Sequence, residues 1–315
     1  MKKIIKKILS VAAICFALGM LLIFVMYVIV KGDLSKMNIG SKYEKKEYEI
    51  EQSKVENLDI NLDSVGLEII GMDTDKIHIT YYENENQKYE ITDNQKTLQL
   101  RKIPSNICNI FQINFNIESH RVVIEMPKEL IGQLHIDNSS GSVNLNNLLV
   151  QEGIEVKISS GSMTAKDIKT NDAMTIHSKS GSVKLYDVQV KEDASIKLSS
   201  GSLTIQNLAA NNVETQISSG STKLTDVKAN GQLSFDSKNG SIHLEEIHAG
   251  QKIIISSKSG SVRGSVIGNR NDFTIYSNAS SGSNNLPEYM EGGKKELRVD
   301  TSSGSIKIEF AEENE

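Results

Sequence analysis

Tryptophan is absent from this 315-residue chain, and only three prolines and two cysteines occur. Aromatic side chains make up 5% of it, too few to line a large ligand groove. Cys15 lies inside an N-terminal apolar run and Cys108 far beyond it, so the fold has to hold without a disulfide framework. A basic surplus is missing too: 35 Lys and Arg face 40 Asp and Glu, a net charge of −5. Binding phosphates needs a basic surface, so the balance argues against nucleic acid as a partner.

Catalytic signatures are equally scarce. The six histidines (His78, His120, His135, His177, His243 and His248) form no His-Glu-x-x-His, and the pair His243 and His248, five apart, is the nearest thing to a metal motif. Gly-x-Ser-x-Gly does not occur. A phosphate loop needs a helix after its glycines, whereas here each repeated glycine leads into another strand pattern. Outward arginine is nearly limited to Arg263, which leaves no Asp and Arg cluster of the kind that cleaves acidic polysaccharides. The expectation is a non-enzyme without cofactor or metal.

What the chain has is a repeat. Gly141, Gly161, Gly181, Gly201, Gly220, Gly240, Gly260, Gly282 and Gly304 follow one another at gaps of 20, 20, 20, 19, 20, 20, 22 and 22 residues, each followed by serine. A fixed step with one recurring turn signal means stacked structural units. Before each glycine, apolar residues fall at −7, −5 and often −3, as in Ala194, Ile196 and Leu198 before Gly201. That is the period of a half-buried strand. After it, apolar residues fall at +2, +4 and +7, as in Leu203, Ile205 and Leu208; the step from two to three reads as a corner. Glycine supplies positive φ in the turn and serine local hydrogen bonds. The pattern predicts an all-β fold: a parallel β-solenoid of nine coils, roughly 40 Å long at ~4.8 Å per coil.

A second column recurs six residues after the glycine: Asn147, Asp167, Asp187, Asn207, Asp226 and Glu246. It reads as an Asx-type corner, with a carboxylate column for Ca²⁺ as the sharper alternative. Lys157, Lys184, Tyr186, Lys197, Lys223 and Lys258 point outward and offer repeated weak contacts.

The remaining segments set the organisation. Residues 1–7 form a basic tail with Lys2, Lys3, Lys6 and Lys7, and residues 8–30 are 23 uncharged, mostly apolar residues, long enough to cross a bilayer. The positive-inside rule then places the N-terminus in the cytoplasm and the rest outside, as a single-pass membrane anchor. With those four lysines inside, 31 of the 35 basic side chains face 40 acidic ones outside, a net of −9. Residues 31–53 read as a charged stalk, 54–130 as an irregular β capping region in which Gly66 marks a degenerate first repeat, 131–310 as the repeats and 311–315 as an acidic tail. The apolar run Ile107 to Ile117 suits a cover over the open end of the stack.

The anchor, the phrase Leu58-Asp-Ile-Asn-Leu62, the phrase Val123-Ile-Glu-Met-Pro-Lys-Glu-Leu130 and the Ser-Gly-Ser strand repeats that follow resemble the putative adhesin family of bacterial β-strand-repeat domains. LiaG-like membrane proteins of Gram-positive bacteria are members, and the likeness covers roughly residues 50 to 310. Members commonly carry Gly-Asp or Gly-Asn where Gly-Ser dominates here. The resemblance implies a cell-envelope protein with a β-solenoid-like fold and no catalytic residues. It suggests a non-catalytic adhesin-like module that binds a surface polymer, or an accessory that contacts a membrane sensor of envelope stress. A bactofilin-like structural polymer is a third class.

Ile196→Asp puts an unpaired charge into the inward ladder and is expected to cost on the order of 4 kcal/mol or more. Gly201→Val, which resists positive φ, should cost about 2 kcal/mol or more. Urea denaturation of the two variants beside the parent checks both, and an unchanged midpoint contradicts the assignment concerned.

Overall fold

The computed structural model describes residues 2–29, 31, 43–104, 120–130 and 132–312. The run Ile107 to Ile117 and Cys108 lie outside the described residues, as do residues 313–315 of the acidic tail. Lys2–Ile29 is one helix, and its stretch Ala12–Ile29 has a mean hydropathy of 2.7 with none of the stretch buried against protein. By length and composition it is able to cross a membrane.

Everything else of regular structure is β-sheet apart from two single 3₁₀ turns. Two sheets of 13 strands each face one another, and each coil gives one strand to either sheet. In the central coil, Ala194–Ser200 belongs to one sheet, Gly201 and Ser202 make the turn, and Leu203–Ala210 belongs to the other. Ile196 pairs with Ile176 and Thr215, and Leu203 pairs with Val183 and Thr222, all in parallel register. The alternation places Ile176, Val183, Ile196 and Leu203 between the sheets, each 0% exposed. A continuous apolar slab results, with no coil able to bury its face alone.

The turn has a steric reason to be glycine. Gly201 has φ 125°, and a β-carbon there would lie 1.9 Å from the carbonyl oxygen of Gly181 in the preceding coil. Inward hydroxyls add to the same spot: Ser237 and Ser257 both donate to the Gly240 carbonyl at 3.3 Å, and Thr301 to that of Gly260 at 3.0 Å.

Four features differ from the sequence expectation. The first concerns the step of three, which is not a corner. Leu203–Ala210 continues through it as one strand, with Asn207 at φ 58° skipped in the pairing register. This is a bulge that recurs at Asn147, Asp167, Asp187, Asp226 and Glu246, all at φ 50–57°, so bulge stacks on bulge and the ladder resumes beyond it. The true corner comes at Asn211 and Asn212, beyond the strand end.

The second is coil order. Lys295–Ser303 and Ile306–Ala311 stack directly on Lys252–Ser259 and Val262–Ile267, while Phe273–Ala279 lies outside them. The glycine ladder therefore runs Gly260, Gly304, Gly282, against chain order. The unit around Gly282 supplies only one long strand, so the two-stranded unit pairs with the stack on both sheets and the half-unit covers it from outside.

The third is the extent of the stack. Asn57–Ser64 and Leu67–Met72 are a full coil around Gly66, which lies between the 133–150 coil and the pair Thr97–Ile103 and Val122–Pro127. Unlike its counterparts, Gly66 has no positive φ. Residues 54–130 thus extend the same two sheets beyond the nine glycine-marked coils, and the longer sheet path, 13 strands at ~4.8 Å, spans roughly 60 Å.

The fourth concerns the segment read as a stalk: its residues 44–51 form a strand, antiparallel to Lys76–Glu83, with Ile50 buried. Alternation in a Lys- and Glu-rich strand is enough to hold it on the sheet edge.

Both ends of the rod finish antiparallel. Lys88–Asn94 closes one sheet and Glu44–Glu51 the other at the N-terminal end; Tyr289–Met290 pairs with Phe273–Ala279 at the opposite end. The outer edge of Ile306–Ala311 is met by residues 283–285: their backbone bonds Ile306 at 2.8 and 3.2 Å, Asn285 Nδ2 donates to the Ile308 carbonyl at 2.7 Å, and its Oδ1 accepts from the Ile308 N–H at 2.9 Å. An amide thereby imitates a neighbouring strand, a guard against edge pairing. Asn285→Ala is expected to lose about 1–2 kcal/mol and to associate in a concentration-dependent way. Urea midpoints and sedimentation check this; an unchanged midpoint and mass would contradict the capping role.

Candidate binding surface

The two outer faces divide the outward residues read from the sequence. Lys157, Lys197 and Lys258 lie on the sheet that precedes each turn glycine, and Lys184, Tyr186 and Lys223 on the other. Lys184 and Lys223 share a column with Thr204 between them; Tyr186 sits one column aside.

On the first face the register brings together residues that no local motif announces. Asp137, Lys157, His177, Lys197 and Gln216 occupy one column on consecutive rungs, four residues before their glycines. With Lys179 and the flanking serines Ser159, Ser199 and Ser218 they line an open cleft of about 400 Å³. His177 reads in the sequence only as one of six scattered histidines, and nothing there singles out Asp137, Lys179 and Gln216; comparing the repeats at the position four before each glycine is the signal that finds the column.

The charges in the cleft are partly matched. Glu155 meets Lys157 Nζ at 2.6 Å and His135 Nδ1 at 3.0 Å. The Lys157 ammonium, by hydrogen bond first, and His135 hold the Glu155 carboxyl below the ordinary carboxylate range, and Glu155 in turn raises Lys157. Lys179 and Lys197 have no ion-pair partner among the described residues. Hydroxyls, ammonium groups and an imidazole on a rigid, shallow floor suit an extended polar or anionic chain more than a compact small molecule.

His243 and His248 both face outward but in separate columns, opposite Lys223 and Lys228. Among the described residues no three His, Cys, Asp or Glu side chains come together as metal ligands. In the bulge column Asn207 Nδ2 donates to Asp187 Oδ1 at 2.8 Å, Asn147 Nδ2 donates to the Gly71 carbonyl at 2.8 Å, and Lys228 pairs with Asp226 at 3.2 Å. Left-handed backbone at each of these residues gives the column a structural role.

The nine turn glycines and most of the two-sheet stack they join fall inside one matched region: the family model described as Toastrack DUF4097 matches residues 55–309. The chain belongs to the Toastrack DUF4097 family. Solved structures similar to this Toastrack chain include a "putative adhesin" from Bacteroides fragilis, 16% identical over 86% of this chain and 98% of that one, with a TM-score of 0.48. A "putative adhesin" from Parabacteroides distasonis is 13% identical over 85% and 98%, TM-score 0.46. A "putative lipid binding protein" from the same organism is 15% identical over 84% and 97%, TM-score 0.34. No curated protein matches the chain.

The Glu155 cluster gives a pH prediction for this Toastrack domain. Because the folded carboxyl is depressed, its contribution is present above the unfolded carboxylate value and is lost as pH falls through the folded one. A side-chain carbon NMR titration is expected to give Glu155 a midpoint below that of solvated glutamates, and Lys157→Met should move it up. An identical midpoint in both proteins would contradict the pairing.

Proposed function

We propose that this chain is a membrane-anchored, outward-facing binding module of the bacterial cell envelope that works without catalysis. The observation that carries the reading is the register: side chains at one repeat position, Asp137 to Gln216, recur on consecutive rungs of an open face along a rigid rod. Such a surface gains affinity from many weak contacts made together. The apolar helix Lys2–Ile29, with Lys2, Lys3, Lys6 and Lys7 at its start, supports an anchor with a cytoplasmic N-terminus and an extracellular rod. The similar Bacteroides and Parabacteroides proteins are described as adhesins, in keeping with this reading.

An accessory role beside a membrane sensor is the second reading. It is favoured by an aromatic group next to the segment leading from the helix, where Tyr43 stacks on His120 at 4.0 Å and Tyr82 meets the same ring edge-on at 4.9 Å. End-to-end polymerisation, the third class, is disfavoured by the antiparallel strands at both ends and by Asn285 over the last edge.

The test is crosslinking in living cells with an affinity tag after Glu315, preceded by protease treatment of intact cells. The tag is expected to be cut from outside, and crosslinking to capture envelope polymer. A single membrane protein captured instead would establish the sensor-accessory reading, and a tag protected on intact cells would overturn the outward orientation.

A further inference from the structure

On the sheet that follows each turn glycine, the third residue after the glycine forms a second outward column. Lys184, Thr204, Lys223, His243, Arg263 and Lys307 stand there on six successive rungs, paired one to the next. All but Thr204 are exposed. The run is local, since the same column continues toward the N-terminal end as Thr164, Asn144 and Glu68. Lys307 joins it only because the last two units stack out of chain order. In chain order the position beside Arg263 would fall to Asn285, three residues after Gly282.

The column is basic in a chain whose net charge is −5. Among the described residues Lys184, Lys223 and Arg263 have no ion-pair partner, while Lys307 reaches Glu309 at 3.1 Å. One column aside stand two carboxylates: Glu309, which holds Lys307, and Glu245, which accepts a hydrogen bond from Thr225 at 3.4 Å. Along the inner flank runs the serine ladder of the turns. Ser241 Oγ accepts from the Ser261 N–H at 3.3 Å, and Ser261 Oγ from the Ser305 N–H at 3.2 Å.

We propose that this column is the docking track for a linear carboxylated polysaccharide of the polyuronate type, lying along the rod axis. The proposal rests on the reading of the chain as a binding module and names its ligand class. The column's permanent charges without a carboxylate partner, Lys184, Lys223 and Arg263, recur every second rung, about 10 Å apart at the spacing of paired strands, while Lys307 on the rung beside Arg263 is held by Glu309. A polyuronate in an extended twofold conformation turns alternate rings the same way, so its carboxylates on one side recur every two rings, close to that distance. Thr204 and His243 on the intervening rungs then face the rings whose carboxylates point away, and offer hydrogen bonds to sugar hydroxyls. Backbone ladders fix the spacing of the cations before any ligand arrives, which lowers the ordering cost of binding.

The experiment uses the full chain in detergent micelles and oligomannuronate long enough to span the six rungs. Calorimetric binding is expected, weakening as salt rises. The double variant Lys223→Gln with Arg263→Gln should bind at least about tenfold more weakly, through loss of two charged contacts. Lys238→Gln, an exposed position on the opposite sheet outside the cleft, should bind as the parent does, and urea midpoints of all three should agree. Absence of binding by the parent, equal binding by the double variant, an equal loss in Lys238→Gln, or binding of polyglycerol phosphate in place of oligomannuronate would each overturn the proposal. Should it fall while crosslinking still captures envelope polymer, only the ligand class is removed and the binding-module reading stands.

Discussion

Over eight rungs, from Gly161 to Gly282 at the far end, each turn glycine sits against the backbone of the coil before it. A β-carbon at any of them would lie 1.7 to 2.2 Å from that coil's glycine carbonyl oxygen. Coils can close to strand-pairing distance at this turn only if the side chain is absent and φ is positive. The parallel ladders on both sheets, the apolar slab between them and the alignment of every outward column all presuppose that approach. Once the glycines touch, the register of adjacent coils is set at one end of each strand, and the stacked bulges from Asn147 to Glu246 keep it set at the other.

A stack held by unsaturated edges has to end somewhere. Here both ends abandon the parallel pattern. The N-terminal end adds antiparallel strands, with Tyr89 buried beneath them and its phenol pushed up by that burial. The C-terminal end folds a half-unit over a full one and satisfies Ile308 with the Asn285 amide. The structure is therefore a rod of defined length, whose useful surface is its flanks rather than its tips.

Flanks built this way separate stability from recognition. Inward positions such as Ile196 and Leu203 answer to packing, while outward neighbours such as Lys197 and Lys223 are free to vary without disturbing a ladder. Any residue type placed at one repeat position becomes a column at strand spacing. Cations become tracks, serines become hydroxyl ladders, and a binding surface arises from the repeat without a pocket.

Gly201 and its counterparts, the in–out alternation of Ala194 to Leu198 and the apolar helix were legible in the sequence, because each depends on neighbours a few residues away. Period, turn chemistry and inward identity are local properties. Three things depended on tertiary structure. The strand Leu203–Ala210 runs through its bulge because hydrogen bonds to the adjacent coils resume beyond Asn207. Lys307 lies beside Arg263 because pairing between coils is decided by which edge is open and how much apolar surface it covers, not by chain order. Asn285 protects an edge that exists only after that order is inverted. The sequence by itself determined that coils form and which way each residue faces. Which coil meets which, and so which side chains stand together on the flanks, was left to long-range hydrogen bonding, to which a local repeat pattern is blind.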